Sequence, residues 1–153
     1  MTHEAWVDWT LDAGADMPAG RYSRVHRIRF DGGAEVAGAP SPSIVPPPWS
    51  DPAAVDPEEA FVASVSACHM LWFLDLARCG GLTVAAYRDH AVGEMAKNEA
   101  GELWVARIAL RPEIGWPEGA APAPGEVAAL HDRAHAKCFI ANSVKTEITI
   151  APA

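Results

Sequence analysis

Two thiols carry the chemistry open to this chain. Cys68 lies in the run from Asp56-Pro57-Glu58-Glu59 to Ser66-Ala67-Cys68-His69, and Cys138 closes Ala134-His135-Ala136-Lys137-Cys138 near the other end. A third thiol, Cys79, follows Cys68 on what reads as one helix, about 16 Å further along its axis at about 1.5 Å per residue. A disulfide needs Cα atoms within about 7 Å, so Cys79 cannot pair with Cys68, and Cys138 is the remaining candidate within the chain. Cys79 then reads as a packing residue of the last helical turn. Paired thiols in a chain without a secretion signal point to redox chemistry rather than a structural disulfide. The plainer alternative is an inert core thiol at Cys68.

Two other constellations bear on the site. His131, His135 and Cys138 stand at i, i+4 and i+7, on one face of a helix. With Cys68 and His69 they could form a zinc-type set, although neither a CxxC pair nor HExxH is present. The rival to thiol chemistry is therefore a dimer that binds a metal or small ligand. Arg24 falls on the strand face that carries Ile28 and Phe30, where an unpaired guanidinium is costly, so it needs a carboxylate. Glu59 is taken by the helix cap and Glu58 is free. Glu58 and Cys68 are about 15 Å apart along a continuous helix. Both serve one site if the helix breaks, or if Glu58 comes from a second subunit whose central helix packs antiparallel. The second option is preferred, and it implies a homodimer with sites across the interface. The bland alternatives are an Arg24 reaching to water and a Glu58 favoured by the helix dipole.

These residues depend on a small set of elements. Alternation over Tyr22 to Phe30 predicts a strand, Asp31-Gly32-Gly33 a turn, and Ala34 to Val36 a second short strand. Ala39 to Val55, with Pro46-Pro47-Pro48, must be a loop or extended linker. Asp56 as N-cap, Pro57 at the first helical position and Glu59 three residues past the cap form a capping box. The helix should run to Cys79, where Gly80-Gly81 stops it. It is apolar on all sides, as expected of a helix buried all round. Strands are expected over Val84 to Met95, Trp104 to Leu110 and Val144 to Ile150. Pro112 to Pro124 reads as a loop, and Gly125 to Cys138 as a second helix. The expected fold is α+β: one domain over residues 1–153, with a mostly antiparallel sheet packed on a long buried helix and a shorter one.

Composition narrows the function. Half of the 153 residues are apolar, enough for a core without disulfides or metals. The charge of -8 and pI near 5.1 argue against nucleic acid and anionic membranes as partners. No uninterrupted apolar stretch is long enough to span a bilayer, and Met1 to Asp8 lacks the features of a signal peptide. A cytoplasmic protein is expected.

The Pro-Glu-Glu helix start, with cysteine ten residues after the first Glu and a second cysteine some seventy residues later, resembles the OsmC/Ohr family of osmotically inducible and organic hydroperoxide resistance proteins. Tyr22-Ser23-Arg24-Val25-His26 is similar to the arginine-bearing early strand of one branch. The resemblance implies an intertwined homodimer and a peroxidase acting on organic hydroperoxides, without metal or cofactor, recycled by an external dithiol. It makes Cys68 the peroxidatic and Cys138 the resolving cysteine, with Arg24 and Glu58 activating the thiol and Arg21 as the weaker candidate arginine. His69 and Phe139-Ile140 depart from the residues usual after the two cysteines. Trp72, Phe73 or Phe139 could supply an apolar wall for the alkyl group.

Overall fold

In the computed structural model, which describes residues 1–151, the chain divides into two compact units, the first ending at Ala60 and the second beginning at Phe61. The first unit holds a three-stranded antiparallel sheet in the order β1 (Ala5–Asp8), β2 (His26–Phe30), β3 (Glu35–Gly38). Register places Val7 beside Ile28 and Ile28 beside Val36, so one face is apolar. The other carries the ion pairs Arg29–Asp8, at 3.0 Å, and Arg27–Glu35, at 4.0 Å. Both pairs are solvated and contribute about 1 kcal/mol or less. β2 starts four residues later than alternation predicts. Upstream, the Arg24 N–H donates to the Trp49 carbonyl, the Val25 N–H to Ser23 Oγ, and the His26 ring bonds the Arg24 carbonyl. These local partners replace a sheet ladder. Gly38 faces His26 across the pair, where any Cβ would collide with the imidazole.

α1 (Pro57–Cys79) has the expected bounds. Asp56 Oδ1 accepts the Glu59 N–H at 2.7 Å, and Glu59 Oε2 accepts the Asp56 N–H at 3.1 Å, which closes the capping box. At the other end Gly81 takes φ +76°, Leu82 N–H bonds the Ala77 carbonyl at 2.9 Å and Gly81 N–H that of Arg78 at 3.0 Å. This is a Schellman stop, and Leu82 packs on the core that contains Ala77.

The second unit contains an antiparallel pair, β4 (Ala86–Asp89) with β7 (Pro112–Gly115), and a three-stranded sheet. In that sheet β5 (Val92–Lys97) runs antiparallel to β6 (Leu103–Leu110), while β8 (Glu147–Ile150) joins β6 in parallel. β7 occupies the start of the stretch read as a loop; Pro112 opens it, a strand position that tolerates the missing N–H. α2 (Pro124–Lys137) begins with proline in its first turn, and a short 3-10 turn, Ala141–Ser143, follows it.

Two cores flank α1. Phe73, Leu76 and Ala77 pack with Leu130 and Ala134 of α2, and Val65 packs with Ile108 and Leu110 of β6. The architecture is α+β, as expected. α1 is not covered on every side within one chain, however: Ala63 and Ala67 are exposed and Leu71 is 62% exposed. By length and composition, moreover, α1 is long and apolar enough to cross a bilayer, against the expectation from uninterrupted runs. Its contacts with strands and α2 are those of a core helix, and the open stripe is unpartnered apolar surface.

Candidate thiol site

Cys68 sits at the middle of α1, with Ser64, Ser66 and His69 as its nearest polar neighbours along the helix, and it is half-buried. Cys138 caps the end of α2 in an extended conformation (φ -63°, ψ 113°) and is wholly buried. Its turn is tied down by Asn142, whose amide donates to the carbonyls of Cys138, at 2.8 Å, and Ala136, at 3.1 Å. Ala141 N–H points at the Cys138 sulfur at 3.4 Å. Burial, then the neighbouring Cys68 thiol as hydrogen-bond partner, push Cys138 up to about 11, against the pull of the backbone N–H groups of Ala141 and Ile140. The two sulfurs that sequence spacing left as candidate partners are therefore neighbours.

An apolar cavity of about 470 Å³ opens at Cys68, walled by Ala67, Leu71, Trp72, Phe139 and Ile140. Trp72 and Phe139 meet edge to face at 5.4 Å between ring centroids. Phe73, considered for this wall, lies instead in the core, fully buried. Cys79 is exposed rather than packed, because the helix ends there in solvent, and it accepts a contact from Arg78 at 3.4 Å.

Arg24 and Glu58 belong to the first unit and form no ion pair with each other among the described residues. The half-buried Arg24 guanidinium lies 3.9 Å over the Tyr22 ring and donates to the Tyr22 carbonyl at 2.9 Å. Within one chain a π face and a carbonyl thus take the place of the expected carboxylate. Arg21 is exposed and paired with Asp16.

The histidines form an arrangement that spacing did not reveal. His69 and His131 are buried to 1% and 2% exposure, with His69 Nε2 and His131 Nδ1 at 3.0 Å. The rings are within 6° of parallel, and Phe73 stacks on His131 at 4.4 Å. No three His, Cys, Asp or Glu side chains among the described residues converge as a metal centre requires. The rival set of Cys68, His69, His131, His135 and Cys138 is thus not assembled around one point, since His69 and His131 turn their facing nitrogens on each other. Burial first, then His131 and His135, lower His69 to about 4, with Asp89 opposing; burial also lowers His131, against Asp132 and Asp89.

A pH dependence follows. The unfolded chain takes up a proton at its ordinary histidine value of about 6.5, well before folded His69 does, so folding stability is complete above that pH and falls as pH drops towards 4. Urea denaturation at pH 7 and pH 5 should differ by at least about 2 kcal/mol, and His69→Gln should shrink that difference by about 2 kcal/mol, leaving His131's share. Equal slopes in the two proteins would show that His69 is not held neutral.

A family model described as OsmC-like protein matches residues 50–152. No curated protein matches the chain. Among solved structures, an OsmC-like protein of unknown function from Vibrio cholerae is 40% identical, with TM-score 0.96 over 100% of this chain and 99% of that one. An organic hydroperoxide resistance protein from Legionella pneumophila is 17% identical, with TM-score 0.70 over 100% of this chain and 97% of that one. The organic hydroperoxide resistance protein OhrB of Bacillus subtilis is 14% identical, with TM-score 0.68 over 100% and 98%. The last two share the fold, while the match across two-thirds of the chain settles its kinship: this chain belongs to the OsmC-like protein family.

Proposed function

We propose that the protein is a cytoplasmic thiol peroxidase that reduces organic hydroperoxides. The observation that carries this reading is the adjacency of the Cys68 and Cys138 sulfurs beside an apolar cavity. The names of the Legionella and Bacillus proteins, which share the fold, support it. The Cys68 thiolate attacks one peroxide oxygen; the O–O bond breaks, the leaving alkoxide takes a proton, and Cys68 becomes a sulfenic acid. Cys138 then displaces that hydroxyl as water, forming the Cys68–Cys138 disulfide. An external dithiol restores both thiols by exchange. Arg24 stabilises the thiolate and is oriented by Glu58, in a homodimer that supplies the site across its interface. The apolar wall accommodates the alkyl group and favours organic over hydrogen peroxide.

The test is to mix reduced protein with one equivalent of cumene hydroperoxide and count thiols. Three free thiols per chain should fall to one, leaving Cys79; survival of all three would end the peroxidase reading.

The dimer has its own test. Leu71 stands at the middle of the open stripe on α1, and burying a leucine contributes about 1.5–3 kcal/mol per chain. Leu71→Glu should weaken association by roughly 100-fold or more, seen by sedimentation as a shift from dimer to monomer. A wild-type monomer at micromolar concentration would show that this stripe is not an interface between copies.

A further inference from the structure

We infer that the His69–His131 hydrogen bond is a positioning device that holds α1 and α2 in the one register at which Cys68 and Cys138 can join. The inference gives a role in the disulfide step to a pair that the proposed peroxidase chemistry leaves unused, and it rests on that reading only for the biological use of the disulfide.

The two cysteines sit on different helices, and apart from Lys137 Nζ, 5.2 Å over the Trp72 ring at the end of α2, the packing between those helices is otherwise apolar. Phe73, Leu76 and Ala77 of α1 meet Leu130 and Ala134 of α2. Such contacts hold two helices together without direction, since hydrophobic burial depends on area and tolerates small slides and rotations. The bond from His69 Nε2 to His131 Nδ1, at 3.0 Å, is directional, and it is buried on both sides. Among the described residues, His69 Nδ1 and His131 Nε2 have no hydrogen-bond partner. Breaking the bond would leave two further buried polar atoms unsatisfied, at the full cost of their desolvation. Phe73, stacked on His131 at 4.4 Å, fixes the plane in which that ring can offer Nδ1.

The pin lies where it governs the sulfurs. His69 follows Cys68 directly on α1, while Cys138 lies two turns beyond His131, about 10.5 Å along the axis of α2. A rotation of α2 about the pin by about 10° would carry Cys138 nearly 2 Å. Disulfides accept Cα separations within a window only about 2.4 Å wide, so a tilt of that size is enough to disfavour the bond. The charged and titratable groups that bear on the pair are His135 and Asp132 on α2 and Asp89 on β4, while Tyr87 of β4 meets Phe73. Asp89 is itself fixed by the Ser66 hydroxyl and the Arg111 N–H. The pair is therefore held between two ordered elements.

The test uses thiol–disulfide exchange with glutathione and needs no peroxide. One glutathione disulfide accepts two electrons from the Cys68 and Cys138 thiols, giving the protein disulfide and two glutathione thiols, and the equilibrium gives the effective concentration of one sulfur at the other. Cys79→Ser protein serves as the background. His69→Leu and His131→Leu should each lower that effective concentration about tenfold or more, which corresponds to about 30 mV for a two-electron couple. His69→Gln and His131→Asn, whose amides place a nitrogen near Nε2 and Nδ1 respectively, should recover most of the loss. Leu130→Ala, which loosens the same core without touching the bond, should lower stability and leave the effective concentration within about threefold. Leucine variants that match wild type, amide variants no better than leucine, or a Leu130→Ala shift as large as theirs would each overturn the inference. Should the leucine variants fail to fold, wild-type protein labelled with nitrogen-15 histidine decides: a scalar coupling between His69 Nε2 and His131 Nδ1 is expected in both the dithiol and disulfide forms, and its absence from both refutes the device. Because exchange is independent of peroxide, a protein inert to cumene hydroperoxide can still pass or fail here.

Discussion

Cys68→Ser protein is expected to lose hydroperoxide consumption by at least about 10³-fold, while Cys138→Ser protein completes one turnover per chain and stops. The asymmetry follows from what each sulfur must do. In the proposed chemistry the first step needs a thiolate at the mouth of the apolar cavity, and Cys68 is the cysteine among the described residues that lines it. A serine hydroxyl there is neither appreciably ionised near neutral pH nor as polarisable as sulfur, so peroxide oxygen transfer has no nucleophile. Cys138 is wholly buried and its thiol is pushed up to about 11, which suits a group that waits until Cys68 has been oxidised beside it. Its loss leaves the first step intact and removes the second, so one alcohol per chain is released and a sulfenic acid persists, trappable by dimedone and detected as a mass increment on the Cys68 peptide. Cys79→Ser should behave as wild type, because that thiol is exposed at the end of α1. If dimedone labels Cys138 in the Cys68→Ser variant, the two roles are reversed; if Cys68→Ser retains turnover, the chemistry belongs to some other group.

What the sequence made legible was local. The start of α1 could be read to the residue because the Asp56–Glu59 capping box needs only neighbours, and its end because Gly81 alone can take the left-handed turn cheaply. The candidate partnership of Cys68 and Cys138 came from excluding Cys79 on helix geometry, an argument independent of tertiary detail. What stayed hidden depends on distant partners. β1 has only four residues, and its assignment rests on pairing with β2 some twenty positions on. β7, with Pro112 and Gly115, has turn composition and becomes a strand only because β4 supplies its ladder. His69 and His131 are 62 positions apart, so their bond left no local signal, and the spacing of His131, His135 and Cys138 suggested ligands instead. Arg24 reads as a strand residue in need of a carboxylate because alternation runs from Tyr22 to Phe30, whereas β2 starts only at His26 and the Tyr22 ring and carbonyl receive the guanidinium.

Phe73→Ala should destabilise the protein by about 3–5 kcal/mol, the largest stability effect expected of a single core truncation here. Phe73 is wholly buried at the centre of the α1–α2 core, with its ring 4.4 Å from His131, 5.7 Å from Tyr87 and 6.4 Å from Trp116. Removing it deletes transfer energy and leaves a void that neither helix can collapse into, since the His69–His131 bond resists the movement. One effect works the other way. The Tyr87 hydroxyl and His131 Nε2 are buried without partners among the described residues, and water admitted to the void would satisfy them, so the cost should fall towards the lower end of that range. For a chain of this size the loss corresponds to a fall in Tm of about 10 °C, to be measured at fixed protein concentration because the proposed association between copies would be linked to unfolding. Phe139→Ala is the contrast: that ring is 69% exposed, and its loss should cost under about 1 kcal/mol while altering the cavity wall. A Phe73→Ala protein that melts within two or three degrees of wild type would mean that the core between α1 and α2 is not packed as described, and the register assigned to the two cysteines would fall with it.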